Sequence, residues 1–343
     1  MPPKTSKRKA ANGYKLPDHI PEGTIVNGLS KKQQFRLGKS IGTGGFGEIY
    51  LASENVSRPV GDDATLAMKI EPHENGPLFV EMNFYIRAAQ PDSVEEWKKA
   101  KNLKSFGMPC LRGNGSYVHN GDKYRFLVMD RFGKDLQKVF QTGKKLFTEK
   151  VTYNLALKVL DVLEFIHSKG YCHNDIKAQN MLLGYGRTKE NDVYLVDFGL
   201  VSKYQKEGVH YEYKADARKA HDGTIEYTSR DAHIGAHSRR SDLEILAYNL
   251  VHWMSGDLPW MDQLTNPTQV QKQKIGYMND IKAFLQRCFK SEDYPGMYLL
   301  KKCIIYTPVT SLLTRLLALS LCKKNFSRPN CDYFLSFRNL LMY

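Results

Sequence analysis

His173-Asn174-Asp175-Ile176-Lys177-Ala178-Gln179-Asn180 is an ordered octet, and Val196-Asp197-Phe198-Gly199 follows it after a short spacer. The pattern H-x-D-x-K-x-x-N with D-F-G behind it sets two oxygen ligands for magnesium, Asn180 and Asp197, in register with one carboxylate, Asp175. That is the equipment of phosphoryl transfer, which asks of a protein mainly positioning and charge neutralisation. Asp175 is expected to accept or orient the proton of the attacking hydroxyl. Asn180 would hold a second metal ion, and Asp197 would bridge metal to phosphates. Lys177 can neutralise the transferring group. His173 reads as a structural imidazole under Phe198, and Cys172 as core.

A second constellation lies upstream. Ile41-Gly42-Thr43-Gly44-Gly45-Phe46-Gly47 carries the G-x-G-x-x-G spacing, which dinucleotide-binding folds share. Here Glu48-Ile49-Tyr50-Leu51 continues as a strand, where the dinucleotide fingerprint would open a helix. The glycines therefore read as a hairpin laying backbone N–H groups over ATP phosphates, with Phe46 at the tip shielding them from water. An ordinary glycine turn is the alternative. Lys69 follows Ala67-Met68 in the V-A-I-K position, where its ammonium would meet the α- and β-phosphates. Glu81, mid-helix beside an apolar face, is its expected partner; Glu71 and Glu74 are alternatives in a strand end and a turn. Taken singly, a lysine such as Lys69 is more often a solvated one; the array around it points to function.

These residues need elements to hold them. Short strand-like runs with glycines between them occupy residues 35–70, including Thr65–Ile70 after a polar loop at 53–63. Leu78–Ala89 has helical spacing, with Leu78, Met82, Tyr85 and Ala89 on one face. Ser93-Val94-Glu95-Glu96 is a capping-box pattern that predicts a basic helix from there through Lys104. Two more strands precede Met129, the clearer at Tyr124–Met129, and residues 130–133 read as a connector. Thr148–Lys169 predicts a long helix with Leu155, Val159, Val162, Leu163 and Ile166 inward, stopped at Gly170. Asp242–Met254 is apolar on nearly all sides and predicts a helix buried all round. The expected organisation is a basic mobile tail (1–21), a β-rich lobe (22–129), a hinge (130–133) and an α-rich lobe (134–343).

Bulk properties agree with a large globular protein. The 343 residues are 42% hydrophobic and 25% charged, with a net charge of +14. The charge sits at the ends. Residues 1–40 hold nine Lys/Arg and two acids, residues 299–343 hold seven and one, and the rest 34 and 33. Basic ends suit an acidic partner such as nucleic acid, an import receptor or an anionic membrane, or serve simply as solvated tails. Lys7-Arg8-Lys9 is too short for a decisive nuclear signal. Six cysteines form no C-x-x-C pair, and no signal peptide precedes them, so a reduced intracellular protein is expected. Cys303–Cys322 contains Pro308 and Arg315 and reads as a buried helix rather than a membrane span.

Beyond D-F-G the usual A-P-E triplet is missing. In its place stand His221-Asp222-Gly223-Thr224-Ile225-Glu226-Tyr227-Thr228-Ser229-Arg230-Asp231, then Ser238-Arg239-Arg240-Ser241-Asp242-Leu243-Glu244 and Gly256-Asp257-Leu258-Pro259-Trp260. These resemble the casein-kinase-1 superfamily. Within it, Asn75-Gly76-Pro77-Leu78-Phe79-Val80-Glu81, Met129–Leu136, Asp175-Ile176-Lys177-Ala178 and the helix near Trp97 resemble the vaccinia-related kinases. The resemblance covers about residues 22–296. It implies an α+β, bilobal Ser/Thr protein-kinase fold with ATP between the lobes, using Mg2+, with Mn2+ as an alternative. It also implies chromatin-linked substrates such as histones and the barrier-to-autointegration factor. By the same resemblance Glu81 pairs with Lys69, Met129 is the gatekeeper, and Asp130 and Phe132 lie in the adenine-contacting hinge. Ile41, Ile49, Ala67 and Leu182 join the nucleotide-binding set, Thr224 belongs to the substrate loop, and Asp242 anchors the catalytic loop.

Asn174 stands where many kinases carry arginine, so no buried guanidinium waits for a phosphate on the activation loop, and activity independent of that modification is expected. The expected protein is a monomer of the nucleus or cytoplasm that acts on basic or chromatin proteins and makes no use of a membrane. Weak nucleic-acid contact could run through its basic ends. Competing readings are an enzyme preferring acidic-primed substrates, a pseudokinase scaffold and a nucleic-acid-binding module. The scaffold conflicts with the presence of Lys69, Glu81, Asp175, Asn180 and Asp197, and the nucleic-acid module lacks an aromatic-basic repeat.

Overall fold

The structure is a computed structural model that describes residues 8–10, 13–30, 32–143 and 145–290. The apolar stretch Cys303–Cys322 lies outside the described residues, as do the segment 328–333 and the first seven residues. Among the described residues no helix is long and apolar enough to cross a membrane. The chain divides into two compact units, Met1–Leu103 with Met108–Gly133 and Lys104–Gly107 with Lys134–Tyr343.

The first unit is built on a six-stranded antiparallel sheet. Its strands are β1 (Ile25–Asn27), β2 (Gln34–Thr43), β3 (Glu48–Ser53) and β4 (Leu66–Pro72), then, after helices α1 (Pro77–Ala88) and α2 (Pro91–Ala100), β5 (Leu111–His119) and β6 (Asp122–Asp130). The order across the sheet is β1-β2-β3-β4-β6-β5. Period-2 alternation drives one face inward: Phe35, Leu37, Tyr50, Met68, Ile70, Phe126 and Val128 bury a common core with Val26. Ile20 completes that core at 0% exposure, and the Ile20 and Asp18 N–H groups donate to the hydroxyls of Tyr50 (3.1 Å) and Tyr124 (3.3 Å). The described part of the segment read as a mobile tail is thus docked on the sheet: Arg8 pairs with Glu48 of β3 at 2.7 Å, and Ile20 supplies a core side chain that composition alone does not reveal.

Helix α2 also departs from expectation. It opens at Pro91, whose fixed φ suits the first helical position, with Gln90 as the flanking residue, and it ends at Ala100. Ser93 lies inside the helix, so its capping-box pattern with Glu96 is not used as a cap. In α1 and at its end, Leu78, Tyr85 and Ala89 are buried as expected and Met82 is half-buried, while Glu81 and Phe84 join the inward face.

The second unit is mainly helical. Past β7 (Phe132–Asp135) come α3 (Leu136–Thr142) and α4 (Glu149–Ser168), with Thr148 accepting a cap hydrogen bond from the Val151 N–H. The short strands β8 (Tyr171–Cys172), β9 (Met181–Gly184) and β10 (Val193–Leu195) follow, then β11 (Ser202–Lys203), β12 (Gln205–Lys206) and β13 (Val209–His210). Helix α5 (Arg230–His233) precedes α6 (Arg239–Ser255), and α7 (Pro267–Asn279) and α8 (Ile281–Phe289) close the described chain. Every residue of α6 from Ser241 to Trp253 is buried, as its all-round apolar pattern predicts.

Candidate active site

In the first unit, alternation along β4 decides where Lys69 points. Met68 and Ile70 enter the core, so Lys69 leaves from the opposite face, between Ile49 of β3 and Leu127 of β6. Its Nζ lies 2.8 Å from Oε2 of Glu81, whose carboxylate is 1% exposed on α1. Of the alternative partners, Glu71 stands at 3.8 Å and accepts the Leu78 N–H at the start of α1. Glu74 pairs with Lys15 instead.

The glycine hairpin closes between β2 and β3, with the Gly44 N–H donating to the Gly47 carbonyl at 2.8 Å. A side chain at Gly47 would stand 2.1 Å from the Ile70 carbonyl, so glycine is required there by close packing. Gly42, Thr43, Gly44, Gly45 and Ile41 are exposed, Ile49 is half-buried and Ala67 is buried. Phe46, expected at the tip as a shield over the phosphates, is half-buried; it meets the Tyr14 ring edge-on at 4.8 Å, and its carbonyl accepts from Asn75. Met129, Asp130 and Phe132 are half-buried at the end of β6 and just beyond; the Asp130 carboxylate takes both arms of Arg112, at 2.8 and 3.1 Å.

In the second unit, four predicted residues come together. Oδ1 of Asp175 accepts from the Thr224 hydroxyl at 2.7 Å, and that hydroxyl accepts from Lys177 at 2.8 Å. The Lys177 ammonium also lies 2.7 Å from Oδ2 of Asp175, closing a triangle. Asn180 donates its amide to the Asp175 carbonyl (2.8 Å) and to Oδ2 (3.2 Å). With the Asn180 nitrogen committed in this way, its carboxamide oxygen is the atom left to serve as a ligand. Asp197 opens a short 3-10 turn in the left-handed region, φ 66°, an uncommon conformation for a residue other than glycine. Leu182 is half-buried on β9, opposite Tyr194 of β10.

The loop carrying Asp175 is held from beneath. Asp242, fully buried on α6, accepts the His173 N–H (2.9 Å), the Asn174 N–H (2.8 Å) and His167 Nε2 (2.8 Å). Burial raises its pKa, but the His167 hydrogen bond and charge and the Asn174 N–H outweigh this and hold it below the usual range. His167, Cys172 and Asp242 have the donor atoms of a small metal site, yet these hydrogen bonds occupy the carboxylate from both sides. The His173 ring packs against Phe198 at 4.8 Å with a 59° tilt, and burial lowers its pKa. Asn174, at φ 70°, donates its amide to the Leu200 carbonyl (2.7 Å) and the Ser202 hydroxyl (2.9 Å), which ties the loop to β11.

Sequence reasoning missed what lies behind Thr224. Lys274 on α7 is 0% exposed beneath the 225–228 loop, and Trp260 reaches the same loop. A lysine within Gln-Lys-Gln-Lys looks like an ordinary solvated helix face, so nothing in the sequence marks it.

The family model of the protein kinase domain matches residues 35–336. The chain is 46% identical over 288 residues to nucleosomal histone kinase 1 of Drosophila melanogaster, covering 83% of this chain and 46% of that protein. It is 44% identical over 283 residues to serine/threonine-protein kinase VRK2 of Homo sapiens, covering 82% and 53%. The chain thus spans about half the length of these two curated relatives. A solved structure of vaccinia related kinase 3 superposes with a TM-score of 0.79 at 29% identity, covering 90% of this chain and 93% of that one.

Proposed function

The chain belongs to the protein kinases, in the vaccinia-related family, and from that premise we propose that it transfers the γ-phosphate of ATP to Ser or Thr hydroxyls of proteins. The observation that carries the proposal is the Asp175–Lys177–Thr224–Asn180 cluster. Asp175 orients the substrate hydroxyl and takes its proton as the bond to phosphorus forms. Lys177 and Thr224 fix that carboxylate, and Lys177 neutralises charge on the group in flight. Lys69, steadied by Glu81, holds the α- and β-phosphates beneath the glycine hairpin. Ile41, Ile49, Ala67, Met129, Asp130, Phe132 and Leu182 receive the adenine side.

A protein kinase domain implies ATP and a divalent metal. The Asn180 carboxamide oxygen and the Asp197 carboxylate form a hard oxygen set that suits Mg2+, with Mn2+ also accommodated. The bound ion supplies charge neutralisation across the phosphates. Histones, the barrier-to-autointegration factor and other basic chromatin proteins are the proposed substrates, in the nucleus; the histone kinase relative and the basic ends support this. Catalysis without activation-loop phosphorylation is part of the proposal, supported by Asn174, whose own amide ties the loop to Leu200 and Ser202.

The test is transfer from labelled ATP to histone or casein by phosphatase-treated protein. Wild type should transfer, and Asp175→Asn should lose at least ~10²-fold, the scale of a positioned acid–base group. Equal turnover in the two proteins would remove Asp175 from its role. Activity that returns only after loop phosphorylation would overturn the phosphorylation-independent part.

A further inference from the structure

We infer that Lys274 is a positioning residue for the protein substrate, acting through the backbone of the loop that carries Thr224; this rests on the kinase reading above. Its ammonium nitrogen lies 2.7 Å from the Ile225 carbonyl and 2.7 Å from the Thr228 carbonyl, both of which accept from it. A third neighbour, Nε2 of His233, stands at 3.4 Å. The rings of Tyr248 and Trp260 flank the nitrogen at 5.2 and 5.1 Å. The Trp260 indole N–H donates to the Glu226 carbonyl at 2.8 Å, so three carbonyls between residues 225 and 228 are drawn inward.

Full burial of an ammonium is costly unless every proton finds an acceptor. Here two carbonyls and one imidazole provide three sites, which matches the three protons of a lysine. Burial pushes the Lys274 pKa down, opposed by Glu244 and Glu226. His233 has its pKa lowered to about 3 by burial, with Lys274 and His221 adding to the effect. A neutral His233 can accept from Lys274 through Nε2 and share its Nδ1 proton with Nδ1 of His221, 2.7 Å away. The His221 backbone, at φ 66°, leads directly into Gly223 and Thr224. Core packing alone would be served by methionine. The fit of this polar nest to one flexible cation points to a task in the loop.

That task is to hold Thr224 in the triangle with Asp175 and Lys177 while the loop receives the residue next to the phosphorylated hydroxyl. Lys274 touches no reacting atom, so its removal should change how protein substrate binds and aligns and leave nucleotide affinity alone. The experiment compares wild type, Lys274→Met, which keeps length without a donor, and Lys274→Gln, which keeps donors on a shorter stem. Initial rates are measured against protein substrate and against ATP, with a thermal melt of each protein.

For Lys274→Met the inference expects KM for protein substrate to rise about tenfold and kcat to fall, with KM for ATP within twofold of wild type. Lys274→Gln should recover part of the loss. In Thr224→Ala background the Met substitution should cost much less, since coupled residues are non-additive. Wild-type KM for protein substrate in Lys274→Met overturns the inference. So does loss of ATP affinity or of cooperative melting in parallel with turnover, and so does full additivity with Thr224→Ala. A wild-type protein without any transfer defeats the kinase reading itself, which keeps the two failures apart.

Discussion

At the scale of single residues, Lys69 and Glu81 separate catalysis from stability. The Glu81 carboxylate is nearly inaccessible, and Lys69 is its 2.8 Å cationic neighbour. Lys69→Met should abolish measurable transfer and also destabilise the protein by about 3 kcal/mol, because a buried charge is left without its counter-charge. Adding Glu81→Gln should restore most of the lost melting temperature and none of the activity. A double variant that melts no higher than Lys69→Met would show that the pair is not the source of the penalty. Both residues were legible because kinase motif spacing names Lys69, while an acid mid-helix beside an apolar face names Glu81. Lys274 and His233 were illegible, since their meaning lies in contacts across roughly forty residues of chain, and a lone lysine or histidine carries no periodic signal.

At the scale of elements, the loop carrying Thr224 is fastened by side-chain pairs between the two helices that follow it. Arg230 grips Glu244 of α6 with two arms, Arg240 grips Asp231, and Ser229 bonds Ser241 at 2.6 Å. These ties fasten α5 to the start of α6 and hold the loop ahead of it. The sequence displayed the residues but not their pairing, because pairing is set by how α5 meets α6. Gly223 within this loop has φ +91°, and a Cβ there would sit 2.8 Å from the Asn174 carbonyl. Gly223→Ala should therefore press the substrate loop against the catalytic loop and reduce kcat/KM for protein substrate at least tenfold. Gly208 has φ +81° but open space around it, so Gly208→Ala should cost only about 1 kcal/mol of backbone strain and leave kcat/KM near wild type. Equal kinetic effects in the two variants would mean that positive φ alone, rather than contact with Asn174, governs the loop. The helix ends teach a similar lesson. Thr148 caps α4 as its type predicts, whereas Ser93 was displaced from a cap by Pro91, whose ring fixes the start of α2 two residues earlier.

At the scale of the whole molecule, three histidines of the second unit share an electrostatic sign. Burial lowers the pKa of His173, His233 and His237, so in the folded protein each resists protonation. In the unfolded chain each returns to about 6.5. Below that value the unfolded state binds more protons, and stability must fall as pH falls. For His233 the loss runs from 6.5 down to about 3. Over the middle of that range it amounts to about 1.4 kcal/mol per pH unit, the value for one proton taken up only on unfolding. Asp242 works at lower pH. Its folded pKa lies below 3.8, so its contribution is fully present above that value and is lost only as pH drops through the folded one. Between pH 6.5 and 4 the histidines therefore act without it. Calorimetric melting from pH 7.5 to 4.5 should show a falling Tm, and His233→Gln should flatten that fall even if its Tm at pH 7.5 is lower. A wild-type Tm independent of pH, or an unchanged slope in His233→Gln, would show that His233 is protonated in the folded state. The nest around Lys274 would then contain two adjacent cations and only the two carbonyls of Ile225 and Thr228 as acceptors, which could not satisfy both.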